Sequence, residues 1–163
     1  MYDPASAIKG KQAVFEAYPE NAAVKALADL ATDAKFDREE LTITVAREDI
    51  IAACEAVKKA RYNFLEDVTA VDWYPSEPRF QIVYHILSIP LKQRVRLIVL
   101  LDGDSLSLDS IIPVWPAANF YEREIFDLFG VHFAGHPNLR RILMPEDWNG
   151  HPLRKDYPVE GYR

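Results

Sequence analysis

Alternation of hydrophobic and polar residues predicts four β-strands in the middle of the chain. Leu41–Val45 alternates strictly, and Phe80–Ile89 sets Phe, Ile and Tyr against smaller or polar residues. Asn63–Trp73 is rich in β-branched and aromatic residues, and Arg94–Leu101 runs from basic residues into an apolar segment. Short links join the last three strands, which predicts antiparallel hairpins, and the apolar run of Arg94–Leu101 predicts the central strand.

Two stretches before and between these strands have apolar residues at helical spacing. Asn21–Ala31 is rich in alanine, and Glu48–Ala60 carries one apolar stripe made of Ile50, Cys54 and Val57. Residues 33–40 are charged and are predicted to form a turn. Residues 1–18 have no strong period, so we expect a loose N-terminal arm.

A third helix is predicted from its ends. Asn119 is a good N-cap, Glu122 stands at the capping-box distance, and Gly130 supplies the left-handed C-cap. Glu122 projects into the apolar arc formed by Tyr121, Ile125, Leu128 and Phe129, whereas Arg123, Glu124 and Asp127 lie opposite, where Arg123 and Asp127 can pair. Glu122 either closes the capping box or meets a cation of another chain.

The C-terminal stretch after Gly135 has no regular period. Prolines recur at positions 137, 145, 152 and 158, yet the stretch holds many large apolar residues, in which disordered tails are poor. Two Gly-His-Pro copies, at residues 135–137 and 150–152, predict two similar turns. An irregular segment rich in apolar residues must lie on a surface, and we expect part of it to lie on another protein.

These elements predict an α+β fold. Helices cover one face of a mostly antiparallel sheet of about four strands, and an extended irregular C-terminal tail follows. The predicted organisation is a loose arm over residues 1–18, an α+β domain over residues 19–134, and a segment over residues 135–163 that docks on partner subunits.

Composition narrows the function. The net charge of −6 argues against nucleic acid as the main partner, and 49% apolar content allows a real core. The single cysteine, Cys54, excludes an internal disulfide and a four-cysteine iron–sulfur or zinc site. No stretch approaches the ~20 apolar residues of a membrane span, and no apolar signal core is present. We therefore expect a cytosolic chain, which is compatible with a place on a membrane complex.

Candidate chemistry is sparse. His132 and His136 have metal-like spacing, but the glycines and proline around them disfavour the helix that would bring both to one face. His85 could pair with Asp72 across strands, although its apolar neighbours favour a structural histidine. Cys54 on its buried stripe is expected to act as a small hydrophobe. No glycine-rich phosphate-binding motif occurs. The sequence offers no self-sufficient active site.

Several stretches together resemble a known family, the 30 kDa subunit of NADH-quinone oxidoreductase (respiratory complex I). The resemblance covers roughly residues 40–160 in the family's order. The Glu-Arg-Glu helix followed by the Arg-Arg-Ile-Leu segment is its specific signal. The stretches that carry it are Leu65–Asp72, Phe80–Ser88, Trp115–Asn119, Glu122–Glu124 with Asp127, Phe129 and Gly130, Gly135–Pro137, Arg141–Leu143, and Asp147–Pro158.

The resemblance implies a subunit of the peripheral arm without a cofactor of its own, whose partners carry FMN and iron–sulfur clusters. It implies contact chiefly with the subunit that helps to form the quinone site and with neighbouring cluster-bearing subunits, on the cytoplasmic face of the cell inner membrane. The complex passes electrons from NADH to quinone and pumps protons, so this chain would be a structural, non-catalytic subunit. The alternatives are the equivalent subunit of a membrane-bound hydrogenase or ferredoxin-dependent quinone reductase and, more remotely, a stand-alone histidine-dependent hydrolase.

The charged and aromatic residues of this region are the candidate partner interface. For each charge, the alternative is an ordinary solvated surface position. The candidates are Glu122, Arg123, Glu124, Asp127, His136, Arg140, Arg141, Trp148, Arg154, Lys155, Asp156 and Tyr157.

Overall fold

A six-stranded sheet lies at the centre of the chain, whose computed structural model describes residues 7–161. In space the strands follow the order β1-β2-β3-β6-β5-β4, and every neighbouring pair is antiparallel except β3 and β6. The strands are β1 (Ile8–Lys9), β2 (Ala31–Asp37), β3 (Glu40–Val45), β4 (Phe64–Asp72), β5 (Phe80–Ser88) and β6 (Gln93–Leu101).

The predicted α+β class is confirmed, but the sheet has six strands rather than four and is mixed. The two predicted hairpins, β4–β5 and β5–β6, are present, and β6 lies between β5 and β3 as the predicted central strand. The parallel pair arises because a helix and the first of these hairpins separate β3 from β6 along the chain, which leaves room for a crossover.

The missed strand β2 lies where the sequence suggested a helix end and a charged turn. A register shift between Ala31 and Asp33 breaks its alternation, so the pattern of its side chains does not have a period of two. Only the last part of the predicted turn is a turn, at Arg38 and Glu39, which both have positive φ. The helix predicted up to Ala31 ends at Ala26, earlier than expected.

The helices are α1 (Lys11–Ala17), α2 (Ala22–Ala26), α3 (Ile50–Lys59) and α4 (Ala118–Phe129), with a short 3₁₀ turn at Arg47–Asp49 before α3. The prediction of a loose arm is wrong for the stretch that forms β1 and α1, while residues 1–6 lie outside the described residues. The Asn21 side chain caps α2 by accepting from the N–H groups of Ala23 and Val24 at 2.9 and 3.3 Å.

The hydrophobic core lies between the helices and one face of the sheet. Ile50, Cys54 and Val57 of α3 are fully buried, as the predicted stripe requires, and they belong to the same cluster as Ile82 and Leu97. Burial raises the pKa of the Cys54 thiol, which keeps it protonated. The other sheet face alternates less buried side chains with these core positions. The helices therefore cover one face, as predicted.

A small parallel pair flanks α4: β7 (Ser107–Asp109) precedes the helix and β8 (His132–Ala134) follows it. This pairing brings the chain entering α4 beside the chain leaving it. It thereby places the beginning of the C-terminal tail, here residues 135–161, next to α4. Among the described residues 7–161, no helix is both long and apolar enough to cross a membrane.

Candidate functional site

The two ends of α4 differ from each other in how well they were predicted. Gly130 has φ 75° and its N–H donates to the Phe126 carbonyl at 2.9 Å, so the left-handed C-cap is confirmed. The predicted capping box is wrong, because Ala117 occupies the N-cap and no side chain caps the helix. Asn119 lies inside the helix.

Glu122 lies instead in the protein core. Its carboxylate accepts hydrogen bonds from Ser110 Oγ at 2.6 Å and from the Ile111 N–H at 2.8 Å, so it ties α4 to the segment that follows β7. The residue is fully buried, and burial raises its pKa to about 7 against the two hydrogen bonds, which lower it. The carboxyl group thus has no exposed surface through which to meet a cation of another chain.

Asp127 is also fully buried, but under the tail. Its carboxylate accepts from Arg141 Nη1 at 2.7 Å and from three consecutive tail N–H groups, those of Ile142, Leu143 and Met144, at 3.0, 2.7 and 2.9 Å. Burial alone would raise the pKa of Asp127, but these bonds outweigh it and hold the pKa below its usual range. The expected pairing of Asp127 with the arginine one turn earlier is therefore replaced by a pairing with the tail.

The tail also satisfies the carbonyl groups at the end of α4. The last carbonyls of a helix have no partner within it. Here the carbonyls of residues 127, 128 and 129 accept from His151 Nδ1 at 2.9 Å, the Leu153 N–H at 3.1 Å and Arg154 Nε at 2.6 Å. The two cationic or potentially cationic donors also suit the negative end of the helix dipole. The tail thus acts as the C-terminal cap of α4.

Gly130 is required by this close approach as well as by its φ. A Cβ atom at Gly130 would lie 2.6 Å from ring atoms of His151 and 2.6 Å from Arg154 Nη2. Gly135 has a similar φ of 78°, but a Cβ there would meet nothing within 4 Å. The two glycines therefore differ in one respect, the presence of the tail against the backbone.

The two Gly-His-Pro copies each set a histidine against α4. His136 Nε2 lies 3.2 Å from the Asn119 carbonyl oxygen, near the start of the helix, whereas His151 contacts its end. The glycines that begin the copies, Gly135 and Gly150, have φ values of 78° and 84°. These turns redirect the chain so that the tail returns to the same helix twice.

A second anchor joins the tail to the edge of the sheet. Arg79 donates through two nitrogens to both carboxylate oxygens of Asp72, each at 2.9 Å, and also to Asp156 of the tail at 2.9 and 2.7 Å. The Lys155 N–H donates to Asp72 at 2.9 Å. The hydrogen bond from Arg79 is the main reason that the pKa of Asp72 falls well below its usual range.

This anchor excludes the His85–Asp72 pair considered from the sequence. The strand register places His85 opposite Asp67 and Asp72 opposite Phe80. Asp72 is on the buried side of β4, whereas His85 alternates away from the buried positions of β5. His132 is exposed on β8, away from the tail contacts of His136. Across residues 7–161, no three His, Cys, Asp or Glu side chains are grouped so that they could hold a metal ion.

The tail turns several large apolar side chains outward while its charges face the domain. Leu143, Trp148 and Leu153 are 61%, 40% and 52% exposed, and Val159 is fully exposed. In contrast, Leu139 and Met144 pack against the core. Large exposed apolar side chains that lie close together mark surfaces for other proteins. We call the residues Leu143, Trp148, Leu153 and Val159 the outer tail surface.

The remaining predicted interface residues are partly engaged within the chain. Arg123 donates to the carbonyls of Arg140 and Arg141 at 3.2 and 2.9 Å, and Tyr157 Oη donates to the Asn149 carbonyl at 3.3 Å. The exposed residues of the set are Glu124, Arg140, Trp148, Lys155 and Asp156. Contact of any of these with a partner stays a prediction, whereas Glu122 and Asp127 are placed inside the chain.

Sequence reasoning did not identify Arg79 and Gly130 as part of the tail's binding surface. Arg79 lies in a short link between strands, and its tail partner Asp156 is 77 residues away. No local pattern connects residues so far apart. The second role of Gly130, which leaves space for the tail, had no signal beyond the C-cap already assigned to it.

The fold and the tail define a class: an α+β domain whose C-terminal segment is bound to its own last helix and offers an apolar surface to another chain. Residues 43–163 match the family described as respiratory-chain NADH dehydrogenase, 30 Kd subunit. The chain belongs to this family.

The relatives agree with this assignment. A protein of Citrifermentans bemidjiense that is named as a subunit of NADH-quinone oxidoreductase is 47% identical over 146 residues, which cover 86% of this chain and 91% of that protein. A solved structure described as the trypsin-resistant fragment (1–134) of Nqo5 is 29% identical, with a TM-score of 0.64, and the match covers 77% of this chain and 98% of the fragment. A chain of the membrane-bound sulfane sulfur reductase, an archaeal respiratory membrane complex, is 28% identical with a TM-score of 0.73 and coverage of 83% and 82%.

Proposed function

We propose that this chain is a non-catalytic structural and assembly subunit in the peripheral arm of a proton-pumping NADH-quinone oxidoreductase. Members of its family are subunits of oxidoreductase complexes, so the chain binds other subunits. The outer tail surface is the observation that carries the structural role. Its apolar side chains face away from the domain, although the same tail buries its arginines and main-chain N–H groups against α4.

The proposed partner of the outer tail surface is chiefly the subunit that helps to form the quinone site, together with neighbouring cluster-bearing subunits. Trp148 supplies the large, rigid aromatic side chain that is enriched among energetically dominant interface residues. Leu143 and Leu153 add aliphatic area. Such a surface gains free energy when a partner removes it from water, at about 25 cal/mol per Å² of apolar area.

The electron-transfer groups, FMN and iron–sulfur clusters, are proposed to reside in the partner subunits. An iron–sulfur cluster is held by several cysteine thiolates. This chain has one cysteine, and burial keeps the Cys54 thiol protonated. The chain would join the complex peripherally, on the cytoplasmic face of the membrane, through other proteins rather than through lipid.

The alternative is the equivalent subunit of a related membrane-bound complex, such as a hydrogenase or ferredoxin-dependent quinone reductase. The likeness to a chain of the archaeal sulfane sulfur reductase complex supports this alternative. The relative that is named a subunit of NADH-quinone oxidoreductase, at 47% identity, favours the first proposal. Isolation of the native assembly with this chain separates the two, because only the first predicts NADH oxidation by the co-purified subunits.

The structural role can be tested with substitutions in the outer tail surface. In the full chain, Trp148→Ser with Leu153→Ser should prevent incorporation into the complex on native gels, while the melting temperature of the isolated chain stays nearly unchanged. Ile89→Ser is the matched control, because Ile89 is 60% exposed and follows the opposite end of β5. Normal incorporation of the double variant would contradict the proposed role of this surface.

A further inference from the structure

We propose that Asp127 and Gly130 are positioning residues for assembly: they hold the tail on α4 in the free chain, so that the outer tail surface is formed before a partner binds. This inference rests on the proposed function and adds the order of events. The alternative is a tail that is unstructured in the free chain and folds only on its partner. The two residues would then affect assembly only if they touched the partner directly.

The contacts at Asp127 favour docking before assembly. One buried carboxylate accepts from a guanidinium and from three successive main-chain N–H groups, so the first contact positions the others. Only 14 residues separate Asp127 from Arg141, so closing this loop loses little chain entropy. These contacts are complete without any partner chain.

The end of α4 provides a second, independent seat for the tail. Leu153 and Arg154 donate to the last carbonyls of the helix, which would otherwise depend on water. The tail approaches so closely that a single methyl group at Gly130 would overlap His151 and Arg154. A backbone surface shaped for one segment of the same chain favours a docked state of that segment over an ensemble of open states.

Docking inside the chain also places the outer side chains in one arrangement. Leu143 is held because its own N–H donates to Asp127, and Leu153 because its N–H donates to the Leu128 carbonyl. A partner that binds an ordered surface does not have to supply the free energy of ordering it. Loss of Asp127 should therefore weaken partner binding even though Asp127 has no exposed surface.

Limited trypsin digestion of the full-length chain measures docking directly. The bonds after Arg141 and Arg154 should be cut at least about tenfold more slowly than in a synthetic peptide of residues 135–163, because cleavage requires the open state. Asp127→Asn should bring the cutting rate close to that of the peptide. Glu124→Gln is the matched control, since Glu124 is an exposed acid on the same helix. Cutting of the wild-type chain at the peptide's rate would overturn the proposal.

A pair of glycine variants keeps the test independent of charge. Gly130→Ala and Gly135→Ala introduce similar φ strain, but only the first adds an atom where the tail lies. Gly130→Ala should accelerate cleavage after Arg154, whereas Gly135→Ala should not. Equal protection of the tail in both variants, with the circular dichroism spectrum of the native chain retained, would count against docking at the end of α4.

The assembly half of the proposal is measured as affinity for the remaining complex isolated without this subunit. Asp127→Asn should weaken binding at least about tenfold, in proportion to the lost docked population, and Glu124→Gln should not. An open tail with unchanged affinity would overturn the positioning role. Failure of the wild-type chain itself to bind, with its tail protected from trypsin, would overturn the proposed function and with it this role in assembly.

Discussion

Asp127 of α4 and Arg141 of the tail are joined by a 2.7 Å ion pair, although the sequence had placed Asp127 on a polar surface face. The Asp127 side chain is fully buried and that of Arg141 is 14% exposed. The same arginine also donates through Nη2 to the carbonyls of Trp148 and Gly150 at 2.9 and 3.0 Å. One guanidinium therefore connects α4 to both limbs of the tail.

Replacement of Arg141 should release the tail without unfolding the domain. Arg141→Ala is expected to raise the hydrogen-exchange rates of the Ile142, Leu143 and Met144 amides by about tenfold or more, because those N–H groups donate to the carboxylate that Arg141 neutralises. Arg140→Ala is the control, since Arg140 is exposed next to it in the chain. Unchanged exchange in Arg141→Ala would show that the three N–H groups hold the tail unaided.

Acid should detach the tail in the same assay. Because hydrogen bonds hold the pKa of Asp127 below its usual range, its contribution to tail docking is complete above the unfolded pKa near 3.8. The contribution is lost as the pH falls below that value through the folded-state pKa. Exchange of the Met144 amide, corrected for its intrinsic pH dependence, should therefore accelerate in acid. In Asp127→Asn the corrected rate should be high already at about pH 6.

The free energy of unfolding should also depend on Glu122. The folded-state pKa of about 7 lies above the reference value of 4.5, so the folded protein binds more protons than the unfolded chain between these values. Stability should fall by up to about 3 kcal/mol as the pH rises from 4.5 to 7. Urea titrations across this range should show that Glu122→Gln removes most of the slope, whereas Glu124→Gln retains it.

The two acids on Arg79 should differ in their effect on stability. The Asp72 side chain is 2% exposed and that of Asp156 is 42% exposed. Asp72→Asn turns an amide N–H₂ toward the donors of Arg79 and Lys155, and should lower the free energy of unfolding by about 2–4 kcal/mol. Asp156→Asn should lower it by less than about 1 kcal/mol. Equal losses in urea unfolding would contradict the buried role of Asp72.

Local patterns predicted the elements that depend on neighbouring residues. Strict alternation over Leu41–Val45 and the spacing of Ile50, Cys54 and Val57 both correspond to real elements with the expected buried side. Gly130 was assigned correctly as a C-cap because its φ is a property of the helix end. The strand β2 was missed because its register shift removes the alternation on which such a prediction depends.

The candidate site was predicted less well than the fold. Glu122 and Glu124 are two residues apart on one helix, yet the first is buried and the second exposed. The capping-box spacing at Glu122 was a plausible local explanation, but the carboxylate bonds Ser110 and Ile111 instead. A carboxylate in a sequence shows its charge and helical face but not the donors that other segments bring to it.

By itself, the sequence determined the α+β class, four of the six strands of the main sheet, the position of α4 and the family resemblance. Only the tertiary structure decided that the tail binds its own domain and that its apolar side chains face outward. The physical reason is distance along the chain. Helical and strand periods arise from contacts within a few residues, whereas the tail is held by bonds that span 14 residues at Asp127 and 83 at Asp72.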